Sequence, residues 1–146
     1  MRTVDEWAGE HPDKKVFVQL GQTSFRPRHC EFSAFTDPAQ WESLFQESEL
    51  VVSHAGMGTI LKSLEYAKPL IVMPRLASLG EHRNDHQAAT ASRFKDFWNI
   101  KIVHDGRELV HALDSPVSIN QPVAQANAGN LHMLLGEIQR FIDANS

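Results

Sequence analysis

Cysteine is nearly missing from this chain. Cys30 stands alone, so no disulfide can close within it, and a reducing, cytoplasmic setting is expected. Long apolar runs are missing too: no stretch approaches the roughly 20 residues of a membrane helix, and no signal-peptide pattern opens the chain. Any membrane contact is therefore expected to come through a partner. Nor is there a surplus of positive charge. With 14 Lys and Arg against 18 Asp and Glu the formal net charge is -4 and the pI about 6.0, which argues against a general basic surface for nucleic acid or anionic lipid. Internal repeats, an HExxH motif and cysteine pairs are also absent from the sequence.

What is present is an ordinary globular balance, 42% hydrophobic and 22% charged over 146 residues, enough for one domain with a proper core. Its functional meaning is concentrated between Leu50 and Gln87. Leu50, Val51 and Val52 make a short apolar run that ends in Ser53-His54-Ala55-Gly56-Met57-Gly58-Thr59, where glycines are expected to turn the backbone sharply and leave its amides accessible. Ile60, Leu61, Leu64 and Ala67 then recur at helical spacing. A loop opening a helix in this way offers unpaired amides and the positive end of the dipole to an anion, although tight packing alone also accounts for such glycines. Lys68-Pro69 is expected to close the helix, and Leu70-Ile71-Val72-Met73 reads as a parallel strand covered on both faces. Beyond Pro74 and Arg75, the run Glu81-His82-Arg83-Asn84-Asp85-His86-Gln87 crowds seven polar side chains where open α/β sheets bind their ligands.

The flanks repeat the strand and helix alternation. A first helix spans Met1 to Glu10 with Val4, Trp7 and Ala8 on one side, and Val16 to Leu20 reads as a buried strand running into Gly21-Gln22-Thr23-Ser24. Arg26, Arg28 and His29 form a local basic patch, read as a solvated loop in preference to a partner or phosphate site. Glu31 to Phe35 alternates as a strand, and Thr36-Asp37-Pro38 starts a helix that turns Trp41, Leu44 and Phe45 inward. After Gln87, Ala88, Ala91, Phe94 and Trp98 mark a helix, Ile100 to Val103 a strand, and Arg107 to Leu113 another helix. The expected organisation is an α/β domain over residues 1–113, a loose connection over 114–129 and a C-terminal helix over 130–146.

Three motifs in order, SHAGMG, KPLIVMP and GEHRNDHQ, resemble the donor-binding half of family 28 glycosyltransferases, over roughly Val4 to Asp105. Within that family the chain is most similar to the small subunits of two-chain UDP-sugar transferases, of the UDP-N-acetylglucosamine and bacterial exopolysaccharide kinds. The resemblance implies a Rossmann-like three-layer sandwich with a mainly parallel sheet, of GT-B donor-domain type. The family's first strand, with its glycine-threonine loop, precedes the first helix and is expected to be lacking here. It further implies inverting transfer from UDP-N-acetylglucosamine or UDP-glucose to a lipid-linked or polysaccharide acceptor, without metal or other cofactor. No DxD aspartate pair is present. A membrane-associated partner would bind the acceptor and bring the general base, for which no residue of this chain is assigned. The chain alone would be inactive, and cytoplasmic or recruited to the inner face of the membrane.

The amides of Gly56, Met57, Gly58 and Thr59, the Thr59 hydroxyl and His54 are expected to suit the donor's diphosphate, and Arg75 either to neutralise phosphate or to form a surface salt bridge; on the resemblance the sugar has its own set. Asn84, Asp85, His86 and Gln87 meet sugar hydroxyls, while Glu81 orients Arg83 or touches ribose. Gly21 and Thr23 lie on a cleft loop near the pyrophosphate and the partner chain. Lys62 departs from the pattern, because many members have a glutamate there that accepts bonds from ribose hydroxyls, as a lysine cannot. Two alternatives stand beside this reading: a sheet retained as a non-catalytic binding module, and a metal site at His82, Asp85 and His86.

Overall fold

A computed structural model describes residues 1–74, 91–115 and Gly136. Its strands are β1 (Phe17–Gln19), β2 (Glu31–Ser33), β3 (Val51–Ser53), β4 (Leu70–Val72) and β5 (Ile100–Ile102), and its complete helices α1 (Arg2–Glu10), α2 (Pro38–Glu47), α3 (Met57–Glu65) and α4 (Gly106–Asp114). Residues 91–94 are also helical. The expected connection over 114–129, apart from its first two residues, and the expected helix over 130–146, apart from Gly136, lie outside the described residues.

All paired strands are parallel. β3, β4 and β5 form one ladder in that order, with Val51, Leu70 and Ile100 abreast at its start and Ser53, Val72 and Ile102 abreast at its end. Central β4 has no exposed side chain, as its uniformly apolar sequence requires. Period-two alternation sends its residues to two cores. Leu70 and Val72 pack with Ala55, Ile60, Phe94 and Phe97 on one face. Ile71 packs with Val103, Leu109, Ala112 and Leu113 on the other, where Val4 and Trp7 of α1 close over it. Two covered faces make three layers, so the expected α/β sandwich is the observed architecture.

The second ladder pairs β1 with β2, Val18 opposite Phe32, and is prolonged by the amides of Leu20 and Gly21 donating to Ser33 and Ala34. The buried strand expected over Val16 to Leu20 is buried only at Leu20. Val16, Phe17 and Val18 are half-buried, because among the described residues β1 has a single neighbouring strand. Asp5 ties this ladder to α1. Its carboxylate, inside the molecule, accepts from the amides of Arg28 at 3.0 Å and His29 at 2.8 Å just before β2 begins. Burial pushes that carboxyl up, but the two amides and the Cys30 thiol outweigh it and hold it below its usual value. Its own burial, and after it the same contact, push the Cys30 thiol up to about 11, so it is a packed structural group, as expected of a lone cysteine. α1 is latched to α4 by Trp7, whose indole N–H donates to Asp114 at 2.7 Å while its ring stacks on His11.

The exit from α3 corrects the expected run to Lys68-Pro69. The helix ends at Glu65, and Ala67 enters the left-handed region at φ 50°. The Lys68 amide reaches back to Ser63 O at 2.7 Å and the Ala67 amide to Leu64 O at 3.3 Å, the double closure of a Schellman motif. Fully buried Asn99 fixes this corner, its amide group donating to Ser63 O at 3.1 Å and Lys68 O at 2.9 Å. The helix before β5 stops at residue 94 and the chain turns. Phe97, not the expected Trp98, is consequently the buried residue there, against Phe94.

Candidate functional site

Because β3, β4 and β5 end in register, the residues that follow them emerge together along one sheet edge. His54 leaves β3 beside Met73 leaving β4: the Met73 amide donates to Ser53 O at 2.9 Å, and His54 Nδ1 lies 3.4 Å from Met73 O. His54 is exposed on that edge. The next turn is tight, with Gly56 N–H donating to His54 O at 2.7 Å, and Gly56 becomes the N-cap of α3 with φ -84° and ψ 126°.

Those angles change the role of the glycines. Neither Gly56 nor Gly58 has positive φ, so an L-residue could follow the same path. What glycine provides is room. A Cβ at either position would meet no heavy atom within 4 Å among the described residues, leaving backbone open to whatever approaches the edge.

The helices differ in how they start: α2 and α4 carry a side-chain cap, whereas among the described residues α1 and α3 have none. Asp37 caps α2 by accepting from Gln40 N at 2.8 Å, and Asp105 caps α4 by accepting from Arg107 N and Glu108 N, each at 2.8 Å. The Glu108 amide first, then that of Arg107, hold the Asp105 carboxyl below its usual value against a smaller opposing effect of burial. For α3, no side chain of a described residue takes that place, and the first intrahelical bond is Ile60 N to Gly56 O. The amides of Met57, Gly58 and Thr59 thus point out of the helix at its positive end. An exposed edge with three such amides, a hydroxyl at Thr59 and an imidazole at His54 can hold an anion with several oxygens.

Lys62 is engaged elsewhere. Its ammonium lies 3.1 Å from Glu65 and 3.5 Å from Glu42 of α2, above the Tyr66 ring, while the Tyr66 hydroxyl bonds Glu42. Glu65, then Glu42, favour the charged amine over a small opposing effect of burial, and Tyr66 holds the Glu42 carboxyl below its usual value. No local pattern in the sequence announces the Glu42 to Lys62 contact, which joins two helices across 20 positions.

The structure therefore brings His54, Gly56, Met57, Gly58 and Thr59 together on one edge. Gly21 and Thr23 follow β1 in the other ladder. Gly21 has φ 64°, and Thr23 Oγ1 accepts from the Phe25 amide at 3.2 Å. Arg75, Glu81, Asn84, Asp85, His86 and Gln87, and with them His82 and Arg83, lie outside the described residues. No helix of the described residues is long and apolar enough to cross a membrane.

Comparison with known proteins gives the chain a family. The profile described as glycosyltransferase family 28 C-terminal domain matches residues 1–133. A protein named UDP-N-acetylglucosamine transferase subunit ALG13 from Eremothecium gossypii is 42% identical over 94 residues, covering 62% of this chain and 43% of that protein. One of the same name from Mus musculus is 32% identical over 73 residues, 47% of this chain and 6% of that protein. The chain thus spans less than half of either relative. In three dimensions it resembles a structure titled crystal structure analysis of the glycotransferase of kitacinnamycin, with a TM-score of 0.64 and 19% identity over 92% of this chain and 34% of that one. At that identity the likeness concerns the fold.

Proposed function

The chain belongs to the glycosyltransferase family 28 C-terminal domain family, and from that premise we propose that it is the donor-binding subunit of an inverting UDP-sugar transferase. The donor is of the UDP-N-acetylglucosamine or UDP-glucose class. The observation that carries this reading is the uncapped, glycine-opened start of α3 at the edge where β3 and β4 end, beside His54. A nucleoside diphosphate leaving from a sugar develops negative charge on its terminal phosphate. Amides fixed in the backbone stabilise that charge without reorganising. His54 adds a donor, and the Thr59 hydroxyl a second.

Arg75, Glu81, Asn84, Asp85, His86 and Gln87 complete the proposed donor site, with Gly21 and Thr23 on its far side. The acceptor, lipid-linked or a polysaccharide, is held by a membrane-associated partner subunit that supplies the base. Soluble domain and partner together work at the cytoplasmic face of the membrane. A second reading, a binding module without catalysis, is favoured by one observation. Lys62 is paired with Glu42 and Glu65 and offers no acceptor to a ribose.

Calorimetric titration with UDP, UDP-N-acetylglucosamine and UDP-glucose tests the donor site, with His54→Ala as control. Saturable binding weakened in the variant is expected; binding indifferent to His54 overturns the assignment. Co-expression with the partner separates the two readings, since a transferase subunit restores sugar transfer and a binding module does not.

A further inference from the structure

A second place on the molecule has the chemistry of an anion site, and it is not the glycine edge. Between α1 and the segment that follows β1 lies an open cavity of about 810 Å³, lined by Arg2, Arg26, Arg28, His29, Ser24 and Phe25, with Asp5, Glu6 and Thr23 at its wall. Three arginines therefore line one space in a chain whose net charge is -4. Among the described residues no carboxylate comes within 4.0 Å of any of the three, whereas Lys14 and Lys62 are both ion-paired. Three arginines against Asp5 and Glu6 leave a local charge of +1 with His29 neutral.

The side chains of two of these arginines, and the backbone of the third, are also positioned. Arg26 donates from Nη1 to the carbonyls of Thr23 and Phe25, both at 2.9 Å, which fixes the plane of its guanidinium and leaves its remaining N–H groups without a partner among the described residues. Arg2 lies over the Phe25 ring at 5.7 Å. The backbone under Arg28 and His29 is held by Asp5 through its two amides, so the carboxylate is turned to the main chain. Planar forks on a fixed base suit a phosphate, whose oxygens accept paired N–H bonds.

We propose that this cavity binds a phosphate ester, either a small phosphorylated molecule or a phosphate-bearing lipid headgroup. The guanidiniums of Arg26 and Arg28 take the phosphate oxygens, and the hydroxyl of Ser24 adds a donor. Thr23 is shared with the far side of the proposed donor site, whereas Arg26 and Arg28 belong to this cavity alone.

The test is titration of the purified chain with inorganic pyrophosphate while UDP is held in excess, so that the glycine edge is occupied if it binds nucleotide. Arg28→Gln leaves the backbone amide that Asp5 holds, so circular dichroism should be unchanged while pyrophosphate binding falls about tenfold. Arg26→Gln is the second variant. A parallel arm measures co-sedimentation with phosphatidylcholine vesicles with and without phosphatidic acid. Association that requires phosphatidic acid and is lost in Arg28→Gln assigns the headgroup; soluble binding alone assigns the small molecule. Pyrophosphate binding that survives both substitutions but disappears in His54→Ala belongs to the glycine edge and overturns the proposal. Absence of binding in both arms overturns it as well. UDP affinity unchanged in Arg28→Gln keeps the two sites distinct whichever of them fails.

Discussion

Gly58→Ala should move stability and ligand affinity in opposite directions. Gly58 sits in the first turn of α3 with ordinary helical backbone, and a Cβ there meets nothing within 4 Å among the described residues. In a helix interior the exchange gains about 1 kcal/mol; in the first turn about half of that is expected, raising Tm by roughly 2 °C for a domain of this size. The same methyl would stand where the proposed donor site brings a diphosphate to the amides. Displacing one hydrogen bond to a charged phosphate costs about 1.5–3 kcal/mol, or roughly a 10- to 150-fold rise in Kd. Thermal unfolding and UDP calorimetry on wild type and variant read both quantities. A folded variant that binds UDP as tightly as wild type would refute the idea that the backbone at Gly58 touches the ligand.

Three further expectations rest on single contacts. Ala67→Gly should stabilise the fold by about 1 kcal/mol in denaturant unfolding, because the residue already occupies the left-handed region at φ 50°. Asp5 and Asp105 have lowered folded values, so the stability they contribute is present above the unfolded value of 3.8 and is lost as pH falls through the lower folded values. Acid titration by circular dichroism should show that loss, and Asp5→Asn should shrink it while lowering stability at pH 7 by about 2–3 kcal/mol, since one amide acceptor replaces a buried carboxylate. Lys62→Glu, which restores the residue expected from the family, would set three carboxylates together with Glu42 and Glu65. Tm should fall, and less so at high salt; a Tm that is unchanged or raised would show that the network is not stabilising.

β4 was legible in the sequence because four apolar residues in a row fit only a strand covered twice, and the structure leaves none of Leu70, Ile71 and Val72 exposed. The helix start at Asp37 was equally readable, since its cap depends on a residue three positions away. Burial of β1 was not, because it depends on whether a second neighbour lies beside it, which local periodicity does not encode. The glycines of the SHAGMG stretch were read as a sharp turn with accessible amides; the turn is there without positive φ, and what glycine adds is the room at the surface. The engagement of Lys62 by Glu42, the clamp of Asn99 on the end of α3 and the placing of Arg2 along one cavity with Arg26 and Arg28 all join distant segments. Sequence by itself determined most of the elements and their α/β order, because these follow from short-range pattern and chain direction. Which charges are neutralised, which amides stay open and which arginines share one cavity was decided only by the tertiary structure, because electrostatics and packing act through space, between residues the chain keeps far apart.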